Sequence, residues 1–317
     1  MSNVAMMMGL SSGAGGVAVA DVFSTTLYTG TSAEQTITNG VDLAGEGGLV
    51  WTKGRNNSNY HYLIDTERGA GKFLFSNDTS AQAENIASIS SFNSDGYVLG
   101  NLGGLNGSPD NYVSWTWRKA PKFFDVVTYT GDGTAGRTIS HNLGSVPGCI
   151  IIKRTDSTNF WVTYHRSTGN NNVLYLNLTN AAQSSTVFNS TTPTDSVFTL
   201  SGSSEVNISG GTYVAYVFAH NEDLISCGSF SGNDATVNVT LGFQPQFIIV
   251  KNSNTAGNWN LYDSERGAGA YLFADANQQE YTDSSPDIVF NSTGFDASGN
   301  FGVNGRDYIY MAIKAED

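Results

Sequence analysis

One set of landmarks recurs three times along this chain, in one order and about one hundred residues apart. Tyr28-Thr29-Gly30 returns as Tyr129-Thr130-Gly131 and, more loosely, as Phe230-Ser231-Gly232, a spacing of 101 residues both times. Each copy then reaches a short β-prone run: Thr36-Ile37, Thr138-Ile139 and Asn238-Val239. An apolar run ending in lysine follows, at Lys53, Lys153 and Lys251. Phe92-Asn93-Ser94, Phe188-Asn189-Ser190 and Phe290-Asn291-Ser292 come next, and each copy closes on an aromatic run, at 112–117, 213–218 and 308–313. A fixed internal period constrains architecture more strongly than any local signal. It predicts an N-terminal arm over residues 1–21 and three repeats over 22–120, 121–222 and 223–317, with Pro121 as a short rigid joint. A repeat of about 100 residues is large enough to bury its own core. Solenoid repeats of about 20–50 residues, by contrast, lean on their neighbours.

Within a repeat the apolar runs are short, β-branched or aromatic, and bounded by Gly, Asn, Asp and Ser, which is strand and turn chemistry. The expected class is all-β, with each repeat an antiparallel, jelly-roll-like β-sandwich. Alternation places Val113, Trp115 and Trp117 on one strand face. The runs at 150–152 and 247–250 do not alternate and read as strands buried on both faces. No repeat carries the Cys…Trp…Cys spacing of an immunoglobulin domain, and no period near 20 residues supports a β-helix.

Composition narrows the function. Only 14% of residues are charged, against about a quarter in an ordinary soluble chain, while 36 are Gly. Long surface helices are therefore not expected. The formal net charge is −13, and phosphate neutralisation needs clustered Lys and Arg, so nucleic acid is excluded as a partner. No apolar run reaches the roughly 18 residues of a membrane span, so no membrane insertion is expected. Cys149 and Cys227 sit in or beside apolar runs and read as buried free thiols. Residues 1–20 are apolar and Gly-rich with no Lys or Arg, which does not fit a secretory leader and suits a partner-docked arm. Its Met6-Met7-Met8 run suits an irregular apolar groove on a partner.

The strongest short motif is Asp65-Thr66-Glu67-Arg68-Gly69-Ala70-Gly71, which returns as Asp263-Ser264-Glu265-Arg266-Gly267-Ala268-Gly269. The middle copy has Tyr164-His165-Arg166-Ser167-Thr168-Gly169 and lacks both carboxylates. A catalytic reading makes Asp and Glu the acid and base of a glycan depolymerase, which requires two carboxyl groups opposed across a cleft. Two residues apart on a strand they share one face. The structural reading, in which Asp and Arg bridge to a neighbouring loop and Gly-Ala-Gly makes the turn, is preferred. His61, Trp161 and Trp259 precede the motif by four residues and have polar flanks, which makes them candidate glycan contacts as well as candidate caps of a sandwich end. The four histidines, His61, His141, His165 and His220, have no metal-type spacing and read as solvated or locally hydrogen-bonded. Asp132, in a Gly-Asp-Gly turn, lacks the ligand series of a calcium loop. No catalytic residue, cofactor or metal is expected.

The repeat resembles a family of tandem-repeat proteins encoded by tailed, chiefly marine, bacteriophages. The residues that carry the resemblance are Val22-Phe-Ser-Thr-Thr-Leu-Tyr-Thr-Gly30, the run from Gly40 to Trp51, the run from Val113 to Gly131, and His141-Asn-Leu-Gly-Ser-Val-Pro-Gly148. It covers nearly all of 22–317. The resemblance implies a non-enzymatic virion structural protein of the tail-fibre or tail-appendage kind, docked by its arm to other virion proteins and touching the host surface or neighbouring subunits. It also implies a homotrimer, although three repeats in one chain raise a chain that mimics a trimer by itself. The rival readings are a capsid decoration or head-fibre protein, and a module that binds or cleaves a host cell-surface glycan.

Overall fold

The computed structural model describes residues 17–316, and Met6, Met7 and Met8 lie outside them. The all-β class holds: the helical elements among the described residues are the four-residue turns Val19–Val22 and Gly103–Asn106 and the 3-10 turn Gly299–Phe301. Three six-stranded sheets share one strand order. In the first, the order is Phe23–Thr29, Asn111–Arg118, Gly48–Gly54, Tyr62–Asp65, Lys72–Phe75 and Ala83–Glu84. The second runs Phe124–Thr130, Thr212–Ala219, Pro147–Arg154, Trp161–His165, Asn172–Tyr175 and Gln183–Ser184. The third runs Ile225–Ser231, Asp307–Lys314, Pro245–Asn252, Trp259–Asp263, Ala270–Phe273 and Tyr281–Thr282. Every pairing in them is antiparallel. The closing strand of each copy thus returns to lie between its opening strand and its lysine-ended strand.

A small sheet covers one face of each large one. The first is Gln35–Thr38, Gly96–Leu99 and Ile89–Asn93, the second Arg137–Ser140 with Val197–Leu200, and the third Val237–Thr240, Gly294–Ala297 and Ile288–Asn291. The sandwich is uneven, six strands against two or three. Tyr62, Ile64, Tyr97 and Tyr112 fill the first sandwich, and Ile248, Tyr262, Phe295 and Tyr310 fill the third.

The opposite faces of the large sheets meet one another. Val113, Trp115 and Trp117 point there as their alternation predicts, and join Tyr216 and Phe218 of the second sheet and Phe247, Met311 and Ile313 of the third in one apolar cluster. Trp117 touches both neighbours: its ring lies 6.0 Å from Phe218 and 5.6 Å from Phe247. This explains the non-alternating runs. Strands Pro147–Arg154 and Pro245–Asn252 are buried almost throughout because both faces are covered: in the third sheet Ile248 and Val250 meet the sandwich interior while Phe247 and Ile249 meet the shared core. The copies are therefore not self-contained sandwiches on a string.

The expected arm also needs correcting at its inner end. Val19 and Val22 are buried in the shared core beside Phe23, and Val17 packs against it. Val17 and Val19, within the expected arm, thus contribute to the core, because apolar side chains beside an aromatic cluster are better buried than exposed. Cys149 and Cys227 are buried free thiols.

Candidate functional site

The residues singled out for chemistry converge on the three seams between sheets. Each seam carries the same backbone bond: Gln82 N–H to the Thr155 carbonyl (2.8 Å), Ala182 N–H to the Ser253 carbonyl (2.8 Å) and Glu280 N–H to the Arg55 carbonyl (2.7 Å). The first sheet binds the second, the second the third, and the third the first. At the last seam Arg55 also grips Glu280 with two bonds of 2.8 Å.

Trp161, Trp259 and His61 stand inside these seams, which overturns their reading as glycan contacts. Their exposures are 0%, 3% and 0%, so no ring face is open to a ligand. The Trp161 indole N–H donates to the carbonyls of Phe75 and Asp78 across the first seam, and that of Trp259 to the Tyr175 carbonyl across the second. His61 is bound differently: its Nδ1 accepts the Trp51 indole N–H at 3.0 Å. Its Nε2 faces the Phe273 and Ala276 carbonyls without full hydrogen-bond geometry. Burial, followed by the charge of Lys53, holds the ring well below the ordinary histidine range, so it is neutral.

The lysines that end the apolar strands are fully buried and bond only to backbone carbonyls. Lys153 reaches Thr79 and Arg154, Lys251 reaches Thr179 and Asn252, and Lys53 reaches Gly54 and Asn57. Burial pulls all three down to about 8.

The repeated Asp–Arg motif is a strut between sheets. Asp65 takes the Arg68 backbone N–H and side-chain Nε, and also the hydroxyl of Tyr216 from the second sheet at 2.8 Å. Asp263 takes the same pair from Arg266, and the indole N–H of Trp115 from the first sheet at 3.0 Å. Both carboxylate side chains are wholly enclosed, whereas Glu67 is exposed and paired with Lys119. Asp65 and Glu67 therefore do not oppose each other across a cleft. Gly69, Gly71, Gly267 and Gly269 all adopt positive φ, between 82° and 95°, which is why the turn is written Gly-Ala-Gly.

The middle copy's departure from the motif follows from its partner. Asp65, His165 and Asp263 occupy one register position, opposite Leu49, Cys149 and Phe247. The facing residues on the next closing strand are Tyr216, Met311 and Trp115, themselves opposite Ile151, Ile249 and Trp51. Tyr and Trp supply a donor for a carboxylate, and Met does not. His165 instead donates from Nε2 to the Tyr310 carbonyl at 3.0 Å while its Nδ1 accepts the Ser167 N–H. Burial pushes His165 down to about 4. His141 is likewise buried, so the solvated reading fails for these three histidines and the hydrogen-bonded one holds. Among the described residues no cluster of His, Cys, Asp or Glu could hold a metal; Asp132 binds Thr134 N–H and Asn207.

One open feature among the described residues is a cleft of about 260 Å³ at the end of the third sandwich. Tyr271, Phe273, Phe301 and Tyr308 give it aromatic walls, and Asn252, Asn258, Asn260 and Asn300 give it amides. Asp287 and Arg306 also line it, and neither forms an ion pair among the described residues. None of these residues stands out within a single copy; aligning the three copies on the lysine and motif landmarks brings Asn258 and Asn260 into view.

A family model described as a domain of unknown function (DUF7483) matches residues 18–317. Comparison with curated proteins finds no match.

Proposed function

The chain belongs to the DUF7483 family, and we propose that it is a non-enzymatic virion structural protein, a tail fibre or tail appendage that joins other virion proteins through its N-terminal arm. The resemblance of its repeats to tailed-phage proteins supports the virion location. One structural observation supports the scaffold role: the ring of three seams consumes the chemistry-bearing residues as struts. Asp65, Asp263, His61 and His165 each bond across a seam or to a seam neighbour, and each is enclosed. A ring of this kind gives one chain the closed, edge-sharing core that a homotrimer would otherwise assemble from three, so a single chain suffices as the knob of an appendage. Such a knob presents short charge-poor loops, whose cohesion depends little on ionic strength.

Immunogold labelling of purified tailed particles with antibody against the chain tests this. Label at the tail, a few copies per particle, is the expected result. Label over the head in hundreds of copies would place the chain as a decoration or head-fibre protein. Particles without label would sink the virion reading altogether.

A further inference from the structure

We propose that the cleft at the end of the third sandwich binds a neutral pyranose. The proposal stands on the cleft and not on the virion reading.

The three copies differ at this place in a way that opens the third. In the first, Tyr60 lies on Phe75 with ring centroids 4.5 Å apart, and Tyr62 packs against Phe73 and Phe75. In the second, Phe160 lies on Tyr175 at 5.2 Å, and Val162 takes the place of Tyr62. Phe273 is the register equivalent of Phe75 and Tyr175, opposite Asn260 where they stand opposite Tyr62 and Val162. The aromatic residue expected on top of it is Asn258. One stacking ring and one filler are thus replaced by two amides, and the volume they vacate is the cleft.

What is left matches one ligand class. A pyranose has an apolar face that packs on an aromatic ring and a rim of hydroxyls that both donate and accept. Phe273 and Tyr271 line the cleft with their rings, Tyr281 stacking on Tyr271 at 5.3 Å and packing against Phe273 at 5.3 Å, so the ring surface turned to the cleft is that left uncovered by Tyr281. Asn260 spends its Nδ2 on the Asn258 carbonyl and Asn258 spends its Nδ2 on Asp275, which leaves both Oδ1 atoms without a protein partner. Asp287 holds only the Asn300 amide and accepts from hydroxyls; Arg306 donates to them. One carboxylate and one guanidinium sum to zero, which suits a neutral sugar over an acidic one. About 260 Å³ falls just under the roughly 300–1,000 Å³ of pockets for drug-sized ligands, room for a single ring.

Saturation-transfer NMR on the full chain tests this with glucose, galactose, mannose and N-acetylglucosamine as probes, and glucuronate as the acidic arm. Transfer to ring protons of at least one neutral sugar is expected, with glucuronate weaker. Asn260→Tyr, which installs the first copy's residue, should weaken that binding by about tenfold or more, equivalent to about 1.4 kcal/mol. Asn258→Phe, which installs the second copy's residue, should do the same in a chain that still unfolds cooperatively, with a midpoint lowered only by the lost bond to Asp275, and it decides the matter if Asn260→Tyr fails to fold. Absence of transfer from all four neutral sugars overturns the proposal, as does transfer that survives in a folded Asn258→Phe chain.

Discussion

Trp115 donates its indole N–H to Oδ2 of Asp263 across 3.0 Å, although 148 residues separate them. The bond joins the last sheet of the chain to the first, and Arg266 lies over the same indole ring at 5.4 Å. Asp65 and Tyr216 repeat the relationship at the first seam at 2.8 Å, with Arg68 in the place of Arg266. The ring therefore closes through a buried donor, a buried carboxylate and a buried arginine, all mutually satisfied.

Removing the carboxylate should be costly. Asp263→Ala strands a buried guanidinium and an indole N–H, and breaking a buried pair from one side costs about 3–5 kcal/mol. Asp65→Ala should behave alike. His165→Asp places a carboxylate where Met311 offers no donor, and should also destabilise; adding Met311→Tyr should restore part of the loss, with a coupling of about 0.5–3 kcal/mol. Urea unfolding of these four variants and of Met311→Tyr alone measures this, and independent effects of His165→Asp and Met311→Tyr would contradict it.

A second exchange concerns volume. Where the core position on the lysine-ended strand is Trp51, the seam position is His61; where it is Ile151 or Ile249, the seam position is Trp161 or Trp259. One large ring is accommodated per seam end besides its small partner. His61→Trp alone should overpack by about 1–3 kcal/mol. The double variant Trp51→Ile with His61→Trp should recover most of that, since it reproduces the pairing of the other two copies. Thermal unfolding distinguishes recovery from simple addition.

The sequence made part of this legible. Alternation placed Val113, Trp115 and Trp117 on one face, and unbroken apolar runs marked strands covered twice, because period and burial are local properties. The Asp–Arg bridge and the Gly-Ala-Gly turn were legible because both are complete within seven residues. What covered the second face was not, since an inward Trp117 reads the same whether it meets its own small sheet or Phe247 of another copy. Polar flanks misled for Trp161 and Trp259, because the rings turn into the seams while the flanking amides bond within their own copies. The third cleft was hidden for a different reason: Asn258 and Asn260 look like ordinary turn residues until set against Tyr60 and Tyr62.

Acid should loosen the seams. His165 sits at about 4 in the folded chain and His61 well below the ordinary range, while both return to about 6.5 on unfolding. The unfolded state then binds more protons below pH 6.5, so stability is full above that value and falls as the pH drops, by up to about 1.4 kcal/mol per unit for each ring. His165→Gln, which keeps a donor for the Tyr310 carbonyl, should remove the share belonging to His165 between pH 6.5 and 4. Equal acid slopes in the parent and this variant would exclude the assignment.

Mild alkali should act in the opposite sense. Lys53, Lys153 and Lys251 lie at about 8 when folded and near 10.5 when unfolded, so between these values the unfolded state again holds more protons. Stability contributed by deprotonating them is absent below pH 8 and grows as the pH rises toward 10.5. Compared with Lys153→Met, the parent should gain on the order of 1 kcal/mol per pH unit across this window. Denaturant unfolding at pH 7.5 and 9.5 gives the difference; a parent that gains nothing relative to the variant would show that folded Lys153 holds its proton as tightly as an ordinary lysine.

The N-terminal segment separates anchoring from docking. Among the described residues Val17 is the first that packs on the shared core, while Val19 and Val22 are buried within it. Deleting 1–16 should leave the unfolding midpoint unchanged. Extending the deletion through Val22 removes two buried valines worth about 1.5–3 kcal/mol each, and exposes Phe23, Trp117 and Phe247 at one end of the core. The longer deletion should therefore destabilise by several kcal/mol. If Met6, Met7 and Met8 dock the chain to its particle, the shorter deletion gives folded protein that no longer joins virions. Normal incorporation of that shorter form would take the docking role away from the first sixteen residues and leave the segment at 17–22 as a plug for the core alone.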